Sequence, residues 1–397
     1  MTSCRICESN NIQSAFKFAN HSIVHHLKKD ASDIDSYVGN FELYECLSCG
    51  FLFASDYFAP AADLYENYFT LSSMKAQIHA KRVVDSIRFF SDNPDPCILE
   101  IGCNDGSFIK LLHAAGFERI DAVEPAKDAF HQALAVTHNI INDFFSLELA
   151  ESQLVPSSYD VVVTRQVLEH ISDLHNFLQG IKLIIKPDGV LVIEIPDHEM
   201  NYHFIDYSFW EEHINYFTLN TLRQLLASHG FSIFHYESAI FTGKALIVYC
   251  NLNPLVKISQ YMDYDTDLRR RYIKYFPQFQ SSFKSFLQDL RADHDSVYVY
   301  GAGCRSLCLI DFLDCNDFVS AFIDDSPSKV NKYTAGSSKP ILSFSDCTPD
   351  AFYLLGVNAE VEARLIASKM LEAGFYCSIL PPSNRLPLFW QQTFSQY

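Results

Sequence analysis

Short apolar runs alternate with longer segments of helical periodicity through the middle of the chain. Residues 97–125 predict a strand, a glycine turn, a helix and a second strand, and further apolar runs lie at 160–164 and 189–195. Strands that are apolar at nearly every position are typical of parallel sheets with both faces covered. Two more strand candidates follow, at 231–239 and 245–250. The pattern predicts an α/β fold with a doubly wound sheet.

A second, smaller α/β pattern follows towards the C-terminus. Residues 255–293 predict a long amphipathic helical connector, and the strand at 297–300 opens into a glycine turn at 301–303. Further strand candidates lie at 318–323, 351–355 and 379–380. This alternation predicts a smaller Rossmann-like unit behind the central domain.

The chain is long enough for two or three domains. Near the N-terminus, residues 63–93 predict a helix that ends at the prolines of the segment 93–96. We predict an N-terminal module at 1–70, a central α/β domain at 71–252, and the connector with the smaller Rossmann-like domain at 253–397.

The composition indicates a globular protein with an acidic surface. The 397 residues carry a formal net charge of −18, and no lysine- or arginine-rich run interrupts this balance. Because an acidic surface repels phosphate backbones, a nucleic-acid partner is not expected. The sequence shows neither an apolar run long enough for a membrane helix nor a signal-peptide pattern. We expect a cytoplasmic protein with a small-molecule substrate, and the oligomeric state stays open.

Four of the twelve cysteines form two knuckles. Cys4 and Cys7 make one Cys-x-x-Cys pair, and Cys46 and Cys49 make the other. Four thiolates complete a closed tetrahedral site with no position for water, which predicts a structural zinc ion. Unrelated thiols and a redox dithiol are the alternatives. The other eight cysteines are scattered singly and are expected to be reduced, buried thiols.

The strongest chemical signal is the segment ILEIGCNDG at 98–106. An apolar strand leads into a glycine turn, where a backbone can approach a ligand closely, and a helix follows at 107–115. The glycine spacing differs from the dinucleotide fingerprint G-x-G-x-x-G, and flanking acidic residues suit a cationic sulfonium better than a pyrophosphate. The candidate cofactor-binding residues here are Glu100, Gly102, Asn104, Asp105 and Gly106.

Later segments extend this candidate site. Glu124 ends the second strand, where a carboxylate can accept hydrogen bonds from both ribose hydroxyls, and Pro125 follows it. Asp143 and Phe144 follow the presumed third strand, where an acidic and aromatic pair can hold an adenine ring and its amino group. Arg165 lies at the carboxyl end of the fourth strand.

With these motifs in this order, residues 97–250 resemble class I S-adenosylmethionine-dependent methyltransferases. The resemblance implies S-adenosyl-L-methionine as the cofactor. The alternative is another Rossmann-like enzyme that uses a nicotinamide.

The segment FWEEHINYFT at 209–218, the cysteine knuckles and the distal glycine turn together resemble the zinc-containing sugar C-methyltransferases over essentially the whole chain. Those enzymes methylate a ring carbon of nucleotide-linked keto-deoxysugars. The resemblance implies that His213 removes a proton next to the ketone, that Glu212 orients its imidazole or hydrogen-bonds the sugar, and that His170 stabilises the enolate oxygen. A neutral imidazole, with a pKa near ~6.5, suits this step. Tyr68 matches an active-site tyrosine of the family.

The sequence departs from that family at position 210, and the glycine pair usual before the last strand is reduced to one glycine in the segment 242–244. Trp210 stands where a tyrosine is usual, and an indole cannot accept a proton as a phenolate can. Three functions stay open: C-methylation of a dTDP-type keto-deoxysugar through an enolate, O- or N-methylation of another small molecule, and a catalytically inactive zinc-ribbon interaction protein. The alternative for His213 is a structural histidine at the start of the helix at 218–230.

Overall fold

The computed structural model describes residues 3–35, 37–56, 58, 78–199, 209–240, 244–253, 265–356 and 360–379. Three β-sheets form the framework of these residues. The strands are β1 (Ile12–Ser22), β2 (Val38–Cys46), β3 (Leu52–Ala54), β4 (Ile98–Ile101), β5 (Ile120–Val123), β6 (Ile140–Ile141), β7 (Tyr159–Arg165), β8 (Ile185–Pro196), β9 (Asn215–Tyr216), β10 (Phe231–Ile240), β11 (Lys244–Leu252), β12 (Val297–Tyr300), β13 (Ala321–Ile323), β14 (Ile341–Leu342), β15 (Phe352–Leu355) and β16 (Tyr376–Ile379).

The α-helices of the described residues are α1 (Ile78–Phe90), α2 (Ser107–Ala114), α3 (Lys127–Ala133), α4 (Leu147–Gln153), α5 (Leu174–Ile184), α6 (Leu219–Ser228), α7 (Asp265–Asp293), α8 (Cys304–Phe312) and α9 (Glu360–Glu372). Short 3₁₀ turns lie at Leu168–His170, Asn316–Phe318 and Phe344–Asp346. In this part of the chain, none of the helices combines the length and the apolar character that crossing a membrane requires.

The N-terminal sheet is antiparallel and has the strand order β1-β2-β3-β9. Alternating residues of β1 face inward, with Phe16 and Phe18 buried and Lys17 exposed between them, as expected for a half-buried strand. The fourth strand, β9, comes from far along the chain, and its Tyr216 pairs with Leu52 of β3. The sheet therefore joins the cysteine-bearing module to the segment that carries His213.

The central sheet has the order β10-β11-β8-β7-β4-β5-β6. Strands β4 to β8 are parallel, whereas β11 is antiparallel to both of its neighbours, β8 and β10. The chain order reverses between β4 and β7, so their carboxyl ends border the crevice where ligands of doubly wound sheets bind. The inserted antiparallel strand distinguishes this sheet from the six-stranded arrangement of dinucleotide-binding folds.

Both faces of the central sheet are covered, which explains why its strands are apolar throughout. Leu99 of β4 packs into the core that contains residues of α5 and α6. Its neighbour Ile98 packs into the opposite core, which contains residues of α1 and α2. Successive side chains of β4 thus point to opposite faces, as the geometry of a strand requires.

The C-terminal sheet is parallel throughout and has the order β14-β13-β12-β15-β16. An aromatic core joins it to the N-terminal sheet and to the segment before His213. The ring centroids of Phe18 and Phe312 are 4.5 Å apart, and those of Phe16 and Phe209 are 4.9 Å apart. Phe276 of α7 packs 5.0 Å from Phe16 in an edge-on arrangement, a geometry that aromatic pairs favour.

The α/β architecture predicted from the sequence is confirmed: in chain order, the doubly wound central sheet follows a cysteine-bearing module and precedes a smaller unit with a parallel sheet. Within the described residues, the connector helix begins at Asp265. The apolar run at 318–323 is divided between a 3₁₀ turn and the short strand β13. The hairpin of β1 and β2 was missed, because two register shifts, at residues 14–16 and 18–21, interrupt its alternation. The two boundaries between the three predicted domains stay predictions.

Candidate active site

The glycine turn after β4 lies at the switch point of the central sheet. Gly102 has φ +75°, and a Cβ atom there would lie 2.5 Å from Cγ2 of Val167. A side chain at this position would therefore be strained and would displace the segment that follows β7. The turn ends at Gly106, which also has a positive φ of 76° and precedes α2.

The backbone N–H groups of this turn are largely occupied within the protein. The N–H groups of Gly102 and Cys103 both donate to the carbonyl oxygen of Val123, at 2.8 and 3.3 Å. The N–H of Asn104 donates to Oε2 of Glu124 at 2.8 Å. A loop that binds pyrophosphate directs such groups at the anion. This turn presents carboxyl groups instead, which suits a ligand with hydroxyl groups or positive charge.

Two buried carboxyl groups lie beside the turn. Burial raises the pKa of Glu100 to about 8, and its Oε2 atom has no hydrogen-bond partner among the described residues. Burial also raises the pKa of Glu124, whose Oε1 accepts a hydrogen bond from the N–H of Ala126 at 2.8 Å. The buried Oδ1 of Asn104 likewise lacks a partner in the described part of the chain. Since buried polar atoms are usually hydrogen-bonded, these acceptors fit a bound polar ligand.

The segment after β6 lies against the end of β5. The side-chain amide of Asn142 donates to the carbonyl oxygens of Glu124 and Pro125, at 2.8 and 3.1 Å. Oδ1 of Asp143 accepts the N–H of Phe144, and the Phe144 side chain is 53% exposed. These contacts bring Asp143 and Phe144 to the same edge of the sheet as Glu124, where Phe144 is more than half exposed.

Arg165, at the end of β7, belongs to a buried ionic network. Its Nε donates to Oε2 of Glu194 at 2.8 Å, and its guanidinium lies 4.5 Å from the ring centroid of Phe108. Nε2 of His79 lies 3.0 Å from Oε1 of Glu194. Burial alone would raise the pKa of Glu194. The nearby Arg165 and His79 have the larger effect, and they lower this pKa to about 2. Arg165 is thus fixed beside the glycine turn by an ionised carboxylate.

His213 lies in a partly open site between two other rings. The ring centroids of His170 and Trp210 are 4.9 and 5.0 Å from that of His213. The backbone N–H of His213 donates to the carbonyl oxygen of Trp210 at 3.0 Å. Burial, with the nearby His170 and His198, lowers the pKa of His213 well below its usual value. The imidazole of His213 is therefore neutral at physiological pH and available to accept a proton.

The backbone around His213 is fixed by the 3₁₀ turn after β7. Nδ1 of His170 lies 3.0 Å from the carbonyl oxygen of Glu212, and the N–H of Ile214 donates to the carbonyl oxygen of Glu169 at 2.8 Å. The side-chain amide of Asn215 donates to two carbonyl oxygens of the same turn. The helix that follows is capped by the hydroxyl of Thr218. Helix capping therefore needs no contribution from His213.

The two glutamates before His213 face buried histidines of the N-terminal module. Oε1 of Glu212 lies 2.9 Å from Nδ1 of His25, and Oε2 of Glu211 lies 3.4 Å from Nε2 of His21. His21 also forms a close ion pair with Asp311 of α8. Burial opposes protonation of His21, but the two carboxylates raise its pKa to about 9. The segment before His213 is therefore attached to the N-terminal and C-terminal units through charged groups.

The four knuckle cysteines meet in one cluster. The Sγ atoms of Cys4 and Cys49 are 3.5 Å apart, as are those of Cys7 and Cys46. All four sulfurs lie within 4.8 Å of one another. Four Zn–S bonds of about 2.3 Å at tetrahedral angles place neighbouring sulfurs about 3.8 Å apart. The cluster therefore fits a tetrahedral metal ion.

Comparisons with known proteins agree with this geometry. Residues 74–236 match the model of a methyltransferase domain, and residues 264–379 match that of a C-methyltransferase C-terminal domain. This chain is an S-adenosylmethionine-dependent methyltransferase. C-methyltransferase NovU of Streptomyces niveus is 23% identical over 94% of the methyltransferase chain and 93% of its own. The recognition of a C-methyltransferase from the sequence is thus confirmed.

Two further relatives match only part of the methyltransferase. N-terminal Xaa-Pro-Lys N-methyltransferase 1-A of Xenopus laevis is 30% identical over 25% of this chain and 46% of its own. Ubiquinone biosynthesis O-methyltransferase of Rickettsia bellii is 28% identical over 29% of this chain and 49% of its own. Enzymes that methylate different atoms thus share similarity with a limited part of this chain.

The methyltransferase brings most of the predicted site residues together in two groups. Glu100, Gly102, Asn104, Glu124 and Arg165 lie along the carboxyl edge of the central sheet. His170 and His213 form the second group. Tyr68 lies outside the described residues. Sequence reasoning missed Glu169, His21 and His25, although Glu169 lies only four residues past the carboxyl end of β7, a place where ligand sites of such sheets occur.

Proposed function

We propose that this enzyme transfers a methyl group to a ring carbon of a nucleotide-linked keto-deoxysugar of the dTDP type. S-adenosyl-L-methionine, when bound, supplies the methyl group on a sulfonium and is left as S-adenosylhomocysteine. Glu100, Asn104, Asp105 and Glu124 would hold the cofactor beside the glycine turn, because they provide hydrogen-bonding oxygen atoms there. The likeness to C-methyltransferase NovU over nearly the whole chain supports carbon as the methylated atom.

The observation that carries the proposal is the neutral, partly exposed imidazole of His213. A hydrogen on a carbon next to a ketone is acidic enough for such a base to remove, because the electron pair is delocalised onto the ketone oxygen. The proton passes to a ring nitrogen of His213, and the resulting nucleophilic carbon takes the methyl group. The ring of His170 packs against that of His213. Its Nδ1–H donates to the carbonyl oxygen of Glu212, so His170 would stabilise the enolate oxygen only when its other ring nitrogen is protonated as well.

The proposed zinc ion has a structural role in this scheme. Its four candidate ligands leave no coordination site for a substrate. The cluster borders the sheet that contains β9, so metal binding would stabilise the segment beside His213. None of the twelve cysteines, all of which lie in the described part of the chain, forms a disulfide, which fits a reducing compartment such as the cytoplasm.

Solvent-deuterium exchange tests the proposal. The enzyme is incubated in D₂O with a thymidine-diphosphate-linked keto-deoxysugar and S-adenosylhomocysteine, and the sugar is analysed by NMR. We expect deuterium at the carbon next to the ketone, and a loss of exchange of roughly 10²-fold or more in His213→Gln. Unchanged binding of S-adenosylhomocysteine in this variant would show that the fold is retained. Methylation without any exchange would contradict the enolate mechanism.

One observation favours a second candidate, methylation of oxygen or nitrogen. Trp210, rather than an ionisable tyrosine, packs against His213. An acceptor that already has a lone pair needs no carbon acid, so His213 would then deprotonate a hydroxyl or ammonium group. Methylation of such an acceptor by an enzyme that never exchanges the keto-sugar would establish this second function. Complete failure to bind S-adenosylhomocysteine would favour an inactive interaction protein.

A further inference from the structure

Glu169 is a buried carboxyl group without an assigned role. It lies in the 3₁₀ turn Leu168–His170 and is 1% exposed. Neither of its carboxyl oxygens has a hydrogen-bond partner in another described residue. A buried carboxyl group without such partners is destabilising, so its position needs an explanation.

The carboxyl group of Glu169 lies beside the two active-site imidazoles. One of its oxygens, a ring nitrogen of His170 and a ring nitrogen of His213 all lie within 4.8 Å of one another. The backbone of Glu169 also accepts the hydrogen bond from Ile214, which fixes the two segments relative to each other. Glu169 is thus attached to the segment of the candidate base through its backbone and close to that base through its side chain.

The other carboxyl group near His213 in the sequence has a different partner. Oε1 of Glu212 lies 2.9 Å from Nδ1 of His25. The carbonyl oxygen of Glu212, rather than its carboxylate, contacts Nδ1 of His170. Glu212 is therefore oriented towards the N-terminal module.

We propose that Glu169 is the positioning residue of the base, and that its carboxylate stabilises the imidazolium formed when His213 takes the substrate proton. This inference depends on the proposed function, in which His213 is the base. In the step, the substrate C–H bond breaks, its proton binds a ring nitrogen of His213, and the electron pair stays on the substrate. In enzyme molecules whose Glu169 is ionised, the form that prevails above about pH 8, the carboxylate keeps its negative charge through the step, and opposite charges attract strongly in a site of low dielectric.

The ionisation of the surrounding groups fits this role. Burial raises the pKa of Glu169 to about 8, and the nearby Glu194 adds to this effect, while its own backbone N–H opposes it. Burial, with His170 and His198, lowers the pKa of His213. Burial also lowers the pKa of His170, against the charge of Glu212. As the pH rises through about 8, Glu169 becomes a carboxylate and makes His213 a stronger base.

Deuterium exchange as a function of pH tests the inference. In the wild-type enzyme, kcat/KM for exchange should rise through an apparent pKa near 8, where Glu169 ionises. In Glu169→Gln the rise should disappear, and kcat should fall by roughly tenfold or more. Glu169→Asp should restore part of the rate and the rise. The affinity for S-adenosylhomocysteine, measured by calorimetry, should stay within about twofold.

Glu212→Gln is the matched control, since it removes a second buried carboxyl group from the same site. The exchange rate of Glu212→Gln can differ from that of the wild type. The rise of kcat/KM near pH 8 should stay, because Glu169 is intact. The inference would be overturned if Glu169→Gln kept the pH profile of the wild type. It would also be overturned if the rise near pH 8 disappeared in Glu212→Gln but not in Glu169→Gln.

A second measurement separates this inference from the proposed function. The imidazole signals of histidine-labelled enzyme are followed by NMR from pH 6 to pH 10 without substrate, and His213 is assigned by its absence in His213→Gln. We expect an inflection of the His213 signal near pH 8 that disappears in Glu169→Gln. If the wild-type enzyme never exchanges deuterium, the proposed function fails, whereas persistence of the inflection in Glu169→Gln refutes the role of Glu169.

Discussion

The cofactor edge of the central sheet and the segment around His213 are built in different ways. At the cofactor edge, the glycine turn, Glu124 and Arg165 follow strands that are close in the sequence and neighbours in the sheet. The segment around His213 has contacts from His25 near the N-terminus and from the turn that contains His170. The cofactor edge is formed by the strand ends of a single sheet. The segment around His213 is held by contacts from several parts of the chain.

This difference has a physical consequence. A turn at the carboxyl end of a strand is positioned by the core of its sheet, so its geometry survives changes elsewhere. The His213 segment lies beside buried charged groups, and Glu211, which precedes it, contacts both His21 and Cys308. Removing one partner leaves a charge buried alone, which is strongly destabilising. We therefore expect remote substitutions to impair methyl transfer without abolishing cofactor binding.

Loss of the metal cluster should have the largest effect. It should impair methyl transfer, which depends on the segment around His213, and should leave cofactor binding intact. Cys46→Ser removes one of four candidate ligands, and structural zinc sites contribute apparent binding energies of about 10–16 kcal/mol. We expect the zinc content, measured by mass spectrometry, to fall from one ion per chain to none, with loss of methyl transfer. Calorimetry should still detect binding of S-adenosylhomocysteine.

Cys347→Ser is the control for this prediction, because Cys347 is a half-buried thiol outside the cluster. It should retain both the zinc ion and methyl transfer. A full complement of zinc in Cys46→Ser would contradict the assignment of these ligands.

The same comparison explains how much the sequence revealed. Gly102, Glu124 and the strand of Arg165 were predicted because local apolar runs and a glycine turn specify them. The contacts of Glu212 were not predictable, since its partner His25 is distant in the sequence and is brought near by tertiary packing. In the sequence, His25 lies between the two cysteine knuckles. That position suggests a role at the zinc site rather than at the active site.

The pH dependence of stability should reveal the ion pairs of His21. The folded-state pKa of His21 is raised from 6.5 to about 9. Its stabilisation is therefore complete below about pH 6.5 and is lost as the pH rises towards about 9. The raised pKa corresponds to about 3 kcal/mol. Urea unfolding at pH 6 and pH 9 should show a decrease of that order in the free energy of unfolding.

His21→Gln should be less stable at pH 6 and should lose most of this pH dependence. His131→Gln, at an exposed position, is the matched control and should behave as the wild type does. If His21→Gln keeps the full wild-type decrease between the two pH values, the ion pairs with Glu211 and Asp311 do not contribute it.

The smallest of these effects should be confined to the cofactor edge. In Gly102→Ala the new Cβ would lie 2.5 Å from Cγ2 of Val167, at a backbone φ of +75°. Strain of this kind amounts to roughly 1–3 kcal/mol, and the displaced turn should bind S-adenosylhomocysteine about tenfold to hundredfold more weakly by calorimetry.

Gly116→Ala shares the positive φ but has open space around its Cβ, with Arg88 3.9 Å away. It should lose stability yet keep its affinity, because Gly116 lies beyond the far end of α2. Equal affinities in the two variants would show that strain alone, and not the approach of the turn to the ligand, explains the glycine at 102.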